Sequence, residues 1–242
     1  MDRSPMVVVI QNADLTAEIS DVGAELFRLT VRGNQEYLWN GDPAFWKGRA
    51  PLLFPMIGRA AGDQIRVEGR SYPMSQHGFA RTSRFQIVDV GARHCTMALM
   101  ANSTTLAQYP FRFRLEVGFS LVDRALRVLV RLLNIGETAL PASFGFHPAF
   151  RWPLPGASDR RGHALIFDSD EPSPIRRLDT GLLLEETVPS PVNDRRLELS
   201  DRLFEHDALV FDQLRSRGVT YVGPAGQKLR ISRNVSACFA GS

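Results

Sequence analysis

Phe111-Arg112-Phe113-Arg114-Leu115-Glu116-Val117 alternates apolar and charged residues without a break. A period of two places the apolar side chains on one face of an extended strand and the charged ones on the other. A second stretch, Leu126-Arg127-Val128-Leu129-Val130-Arg131-Leu132, repeats the pattern with one break. Strands with one buried and one solvated face are typical of antiparallel sheets. The two stretches therefore favour an all-β fold.

Short apolar segments extend this series in both directions along the chain. Helical periodicity is nearly absent, with short helical turns expected near Pro43–Lys47 and Asp201–His206. A run of strands without long helices favours a sandwich or a barrel. Pro172–Pro191 is predicted to be rich in loops. The further strand candidates are Val7–Ile10, Leu15–Ile19, Glu25–Val31, Gln64–Glu68, Ser71–Met74, Phe85–Val90, Cys95–Ala101, Ala164–Phe167, Leu197–Leu199, Ala208–Phe211, Val219–Val222 and Lys228–Ser232.

Composition limits the class of protein. The 242 residues are 44% hydrophobic and 23% charged, which allows a sizeable core and one domain over residues 1–242. The net charge is only +3 and the basic residues are dispersed, so no nucleic-acid partner is expected. Cys95 and Cys238 have neither metal-ligand spacing nor a disulfide pattern. The apolar run Val7–Ile10 is too short for a signal peptide or a membrane span, which predicts a cytoplasmic protein without a membrane partner.

Two histidine-bearing segments have the local chemistry of a sugar pocket: Ser75-Gln76-His77-Gly78-Phe79-Ala80-Arg81 and Phe144-Gly145-Phe146-His147-Pro148-Ala149-Phe150. Imidazole exchanges protons near neutral pH, and aromatic rings offer apolar faces to the C–H face of a sugar. Glycine lets the backbone approach a ligand closely. His94, His163 and His206 lack such surroundings and are interpreted as structural residues.

Several ordered motifs resemble the aldose 1-epimerase (galactose mutarotase-like) family, with the nearer match in its bacterial mutarotase-like branch. They run from about Val8 to about Ile231. The resemblance implies a large antiparallel β-sandwich that interconverts the α and β anomers of a hexose by acid–base ring opening, without a metal or organic cofactor. The motifs are Gly23-Ala24-Glu25-Leu26, Tyr37-Leu38-Trp39-Asn40-Gly41-Asp42-Pro43, the segment Trp46–Arg59, Gln76–Arg81, Gly145–Phe150 and Leu203–Phe211.

The resemblance also implies roles for individual residues. His147 matches the acid that serves the ring oxygen, and His77 matches a second histidine that hydrogen-bonds the sugar nearby. Five more residues are candidates for substrate binding, although Arg59 could instead form a structural salt bridge and either phenylalanine could belong to the core. Trp39 and, with less support, Asp212 are further candidates. The five are Arg59, Arg81, Asp207, Phe79 and Phe146.

The carboxyl-terminal sequence departs from the family pattern. The family's base is a glutamate in a carboxyl-terminal segment, and no glutamate follows Glu205 here. We therefore expect a truncated sandwich and an isomerase with weak turnover, because Glu25 and Glu36 are only possible replacements for the base. Three alternative functions stay open: a non-catalytic carbohydrate-binding protein, a hexose-6-phosphate mutarotase and, with the least support, a structural protein. The expected partner is a hexose or hexose phosphate, and the sequence leaves the oligomeric state open.

Overall fold

The strand that contains the opening stretch runs from Phe113 to Val122 and pairs antiparallel with a neighbour on each side. Its side chains alternate between buried and partly exposed along almost its whole length. Phe113, Leu115 and Val117 point into the core, and Arg114 pairs with Glu116 on the other face. The period-two prediction is confirmed, and each sheet of the described chain is antiparallel.

The structure is a computed structural model that describes residues 4–33 and 35–234 and contains two compact units, divided between Arg151 and Trp152. A single domain over residues 1–242 stays a prediction. The first unit also has a one-turn helix α1 (Ser103–Leu106) and 3₁₀ turns at Ala61–Asp63 and Ala80–Thr82. Its strands are β1 (Val7–Gln11), β2 (Leu15–Ser20), β3 (Leu26–Val31), β4 (Gln35–Glu36), β5 (Leu52–Leu53), β6 (Gln64–Val67), β7 (Arg70–Pro73), β8 (Gln86–Val90), β9 (His94–Met100), β10 (Phe113–Val122), β11 (Ala125–Asn134) and β12 (Gly145–Phe146).

Two four-stranded sheets supply most of the core of the first unit. Their strand orders are β1-β2-β3-β4 and β11-β10-β9-β8, and the smaller pairs are β6-β7 and β12-β5. An aromatic cluster lies within this core. Phe54 is fully buried, its ring centre is 5.0 Å from that of Phe113, and edge-on contacts join it to Phe79 and Tyr109. Each such fully buried ring contributes about 1.5–3 kcal/mol through the hydrophobic effect.

The second unit consists of shorter strands and a 3₁₀ turn at Asp201–Phe204. Its four-stranded sheet has the order β16-β13-β17-β18, and β14 pairs with β15. Burial of Glu171 is compensated there, because its carboxylate accepts hydrogen bonds from the backbone N–H groups of Arg215 and Ser216. The strands are β13 (Ala164–Phe167), β14 (Ile175–Asp179), β15 (Leu182–Val188), β16 (Arg196–Glu198), β17 (Gly218–Val222) and β18 (Lys228–Ser232).

Two predictions of secondary structure were wrong. Ala208–Phe211 is not a strand, since only Val210 forms an isolated bridge, to Arg176. The stretch Pro172–Pro191, predicted to be rich in loops, contains the β14-β15 hairpin. Its turn residues Thr180 and Gly181 both have positive φ, as a two-residue hairpin turn requires. The strand β15 has no period-two pattern because its whole length is exposed and no face is selected for burial.

The described residues contain no helix long and apolar enough to span a bilayer.

Cys95 is a buried free thiol, and burial raises its pKa to about 11. Cys238 and the other residues after Asn234 lie outside the described residues.

The short strand β5 and its flanking residues join two distant segments of the first unit. On one side, β5 pairs antiparallel with β12. On the other side, Phe54 forms a parallel bridge to Gly78, and its carbonyl accepts hydrogen bonds from the N–H groups of Phe79 and Ala80. The approach is so close that a Cβ added at Gly78 would lie 2.1 Å from the Phe54 carbonyl oxygen. Gly78 also has φ +73, a conformation that costs other residues about 1–2 kcal/mol.

We expect Gly78→Ala to lower the free energy of unfolding by at least about 2 kcal/mol, because the left-handed strain adds to the overlap with the Phe54 carbonyl. The matched control is Gly69→Ala, since Gly69 has φ +79 but open space around it. Urea unfolding followed by circular dichroism measures both variants. Equal losses would contradict the role assigned to the close contact with Phe54.

Candidate functional site

Backbone hydrogen bonds to the segment around β5 hold both predicted histidines in position. The N–H of His147 donates to the carbonyl of Pro51 at 3.1 Å, which continues the β12-β5 pair. The N–H of His77 donates to the carbonyl of Gly58 at 2.8 Å. Both histidines are therefore held to the same short segment of chain, although they are far apart in sequence.

The two imidazole rings lie next to each other. Their centres are 6.1 Å apart and their planes are nearly perpendicular. The other neighbour of His147 is Trp46, whose ring centre is 5.3 Å away at a tilt of 39°. His147 is partly exposed and His77 is half-buried, so both rings lose part of their solvent yet can be reached from it. The structure thus brings together the two residues that the sequence predicted as the acid and its partner.

Trp46 was not among the predicted site residues. Its segment was recognised as a family motif, but no sequence pattern predicted that this ring rather than Trp39 would lie against His147. The indole N–H of Trp39 donates to the carbonyl of Trp46 at 2.8 Å, which fixes the segment between them. Gly48 makes room for the Trp46 ring, because a Cβ there would lie 2.6 Å from it. Trp46 therefore covers one side of His147.

Both imidazoles have pKa values below the ordinary value of about 6.5. Loss of solvent around the ring is the main cause for each, because burial disfavours the charged form. The positive charge of Arg81 lowers both pKa values further, and His147 adds to the effect on His77. Both rings are therefore mainly neutral at pH 7.

Arg81 follows the His77 segment in a 3₁₀ turn, and the sharp turn before β3 lies against its backbone. A Cβ at Gly23 would lie 2.8 Å from the Arg81 carbonyl oxygen, and the N–H of Gly23 donates to the carbonyl of Ser83. This contact fixes the backbone from which Arg81 extends. Its guanidinium contributes positive charge that acts on both histidines, and a role of Arg81 in substrate binding stays a prediction.

Arg59 makes the salt bridge that the sequence left open as an alternative. Its Nε and Nη2 donate to the two carboxylate oxygens of Asp63, each at 2.7 Å. The pair borders a surface depression of about 430 Å³ that Ser75 and Gln76 also line. Gly58 and His77 are the chain neighbours of Arg59 and Gln76, so the depression adjoins the loop that carries His77. A role of Arg59 in binding sugar stays a prediction.

The two predicted phenylalanines lie at different depths. Phe79 is 4% exposed, and its ring packs in the aromatic core against Phe54, Tyr109 and Phe113. Phe146 is half-buried on β12 and packs on the same core. Phe79 therefore stabilises the base of the site rather than offering a ring face to a ligand, whereas lining by Phe146 stays a prediction.

Asp207 lies in the second unit, in a turn with φ +63, where its own carboxylate accepts the N–H of Ala208. Asp212 pairs with Arg176 at 3.0 Å. A sugar-binding role for Asp207 stays a prediction. Of the residues predicted to be structural, His163 is fully buried and its Nε2 accepts the N–H of Leu154.

The two carboxylates considered as replacement bases serve the backbone instead. Glu25 accepts the N–H groups of Arg49 and Ala50 at 2.7 and 2.9 Å, which anchors the start of the β5 segment. Glu36 accepts the N–H groups of Leu29 and Leu38. Within residues 4–33 and 35–234, no group of three or more His, Cys, Asp or Glu residues is arranged to hold a metal ion.

The chain is similar to known proteins over most of its length. Residues 6–225 match the family model of aldose 1-epimerase. LacX of Lactococcus lactis subsp. lactis, known in plasmid and chromosomal forms, is 31% identical over 236 residues, which cover 93% of this chain and 79% of LacX. A galactose mutarotase-like protein from Lactobacillus casei has a TM-score of 0.86 at 31% identity, covering 94% of this chain and 79% of that one. A galactose mutarotase related enzyme from Lactobacillus acidophilus has a TM-score of 0.86 at 27% identity, with 93% and 76% covered. The resemblance and the fold class predicted from the sequence are confirmed.

We expect Arg81→Gln to raise the pKa values of both His77 and His147 towards the ordinary value, because the substitution removes a positive charge that opposes protonation of both rings. A proton NMR titration of the imidazole Cε1–H signals measures the two pKa values. Arg70→Gln, on the exposed β6-β7 hairpin, is the control and leaves both unchanged. If neither pKa rises in Arg81→Gln, the guanidinium does not act on the pair.

Proposed function

Because the chain belongs to the aldose 1-epimerase family, we propose that it binds a hexose at the pair of His77 and His147 and interconverts the α and β anomers. The observation that carries the proposal is the contact between the two imidazoles, whose ring centres are 6.1 Å apart. Ring opening needs a proton at the ring oxygen and loss of a proton from the anomeric hydroxyl. A titratable imidazole that solvent and ligand can reach suits the first of these steps.

His147 serves as the acid in this proposal. Its lowered pKa leaves a small protonated fraction at pH 7, and the imidazolium that does form is a correspondingly stronger acid towards the ring oxygen. Trp46 restricts the ring on one side and offers apolar surface close to the reacting atoms. Because the positive charge of Arg81 also disfavours the protonated form, a protonated His147 passes its proton on readily.

The residue that takes the anomeric proton is left open. The carboxylates of Glu25 and Glu36 are engaged by backbone N–H groups, which favours structural roles for both. Weak turnover, like the cytoplasmic location, stays a prediction. Calorimetric titration with glucose or galactose, together with polarimetry, separates a mutarotase from a protein that binds sugar without turnover.

A hexose 6-phosphate is a second candidate substrate, favoured by the positive charge of Arg81 beside the histidine pair. A guanidinium can make charge-assisted hydrogen bonds to phosphate oxygens, which a neutral sugar does not offer. The same acid–base chemistry at the anomeric centre applies to both substrates.

We expect His147→Ala to lower the anomerisation rate by about 100-fold or more, because a positioned acid contributes about 100- to 10,000-fold. Polarimetry on freshly dissolved α-glucose and α-galactose measures the rate. His94→Ala is the control, since His94 is exposed and pairs with Asp89 beside the turn of the β8-β9 hairpin. An unchanged rate in His147→Ala would exclude His147 as the acid.

If the substrate is a hexose 6-phosphate, Arg81→Gln raises KM for glucose 6-phosphate by about 10-fold or more and changes KM for glucose much less, since a hydrogen bond to a charged group is worth about 1.5–3 kcal/mol. Coupled assays on the two sugars give both constants, with Arg70→Gln as the control. Equal changes for the two sugars would contradict a phosphate contact by Arg81.

A further inference from the structure

The ring of His77 is tied to the backbone of Gly58 by a second hydrogen bond. Besides the bond from the His77 N–H to the Gly58 carbonyl at 2.8 Å, the N–H of Gly58 donates to the Nδ1 atom of His77 at 3.0 Å. A peptide N–H can only donate, so Nδ1 must present its lone pair. In a neutral imidazole the proton is then on Nε2, because the bond made by one ring nitrogen decides which nitrogen is protonated.

We propose that the peptide N–H of Gly58 fixes His77 in the Nε2–H tautomer, so that His77 acts on the sugar only as a hydrogen-bond donor and never as the acid or the base. Gly58 is thus a positioning residue that acts through His77. The consequence for the sugar rests on the proposed function, but the tautomer itself does not.

The local backbone holds both partners in place. His77 has φ +67 and Gly58 has φ +85, and positive φ is uncommon for a residue with a side chain. The next residue, Gly78, is held against the Phe54 carbonyl by the close contact described above. The loop therefore keeps the imidazole edge facing Gly58. A ring flip would replace the acceptor Nδ1 with a carbon that cannot accept the Gly58 N–H.

Protonation of His77 is opposed from several directions. An added proton on Nδ1 would point at the Gly58 N–H and convert an attraction into a repulsion. Burial, the charge of Arg81 and the neighbouring His147 also lower the pKa of His77. A neutral ring whose Nδ1 is occupied and whose Nε2 carries a proton has no lone pair left to remove a proton from a ligand. It can still donate Nε2–H to an oxygen of the sugar.

His147 differs from His77 in this respect. In the described part of the chain, the ring of His147 makes aromatic contacts with Trp46 and His77. Proton exchange at His147 therefore does not break a hydrogen bond of this kind. The backbone hydrogen bond from Gly58 therefore distinguishes the two histidines. It fixes His77 as a donor, whereas His147 remains able to gain and lose a proton.

The first test is a two-bond proton–nitrogen NMR correlation on protein labelled with ¹⁵N-histidine, recorded without sugar between pH 8 and pH 6. Loss of one set of signals in His77→Asn assigns His77. We expect the Nε2–H pattern for the neutral ring of His77, whereas exposed His206, the control, shows averaged tautomers. An Nδ1–H pattern, or averaging like that of His206, would overturn the inference.

Adding glucose to the same sample separates this inference from the proposed function. A fixed Nε2–H tautomer whose signals do not move with saturating glucose, galactose or glucose 6-phosphate supports the inference and contradicts the sugar site. Averaged tautomers in a protein that binds sugar overturn the inference and leave the sugar site standing. We expect a fixed tautomer and a shift of the Nε2 signal on addition of sugar.

Two substitutions then test the donor role. Asn can offer its oxygen to the Gly58 N–H but has no donor at the Nε2 position, whereas Gln can place a donor near that position and loses the bond to Gly58. We expect His77→Asn to keep the melting temperature and raise KM by about 10-fold or more. His77→Gln should lower the melting temperature yet keep KM closer to the unmodified value. If His77 were needed only for structure, KM would change in step with the melting temperature. Equal KM values for the two variants would also contradict the donor role.

Discussion

The candidate site depends on the backbone hydrogen bonds of one short strand, β5, and of the residues that flank it. This segment accepts or donates backbone bonds to the His147 segment on one side and to the His77 segment on the other. Its entry is anchored by Glu25, whose carboxylate accepts two successive N–H groups. Backbone bonds have fixed directions and lengths, so they place two imidazoles within contact distance more reliably than side-chain packing could.

The aromatic core beneath this strand supplies the rigidity that the site needs. Phe54 follows β5 directly, and its ring contacts Phe79, Tyr109 and Phe113 while its carbonyl receives the backbone of the His77 segment. The same residue thus connects the packing of the core with the geometry of the site. Because interiors are close-packed, a change in this cluster is transmitted to the loop that carries His77.

Charge is the second property that defines the site. Burial first, and then the positive charge of Arg81, lowers the pKa values of both imidazoles and so favours their neutral forms near pH 7. Neutral imidazoles donate and accept hydrogen bonds without the strong hydration of a charged group, which suits a ligand made of hydroxyl groups. The bond from Gly58 to His77 then distinguishes two side chains of identical chemistry, since only one of them can change its protonation without losing a backbone partner.

The sequence by itself determined the fold class, because period-two patterning records which side chains are buried, and it predicted a site at His77 and His147 from the motifs around them. It did not reveal β5, β12 or the β14-β15 hairpin, since strands of two residues and fully exposed strands have no such pattern. It left open whether Phe79 belongs to the core and whether Arg59 forms a salt bridge, and it did not select Trp46. Only the tertiary structure decided these points: contacts such as Trp46 with His147, or Gly58 with the Nδ1 atom of His77, are made between segments distant in sequence, and they arise when long-range pairing brings those backbones together.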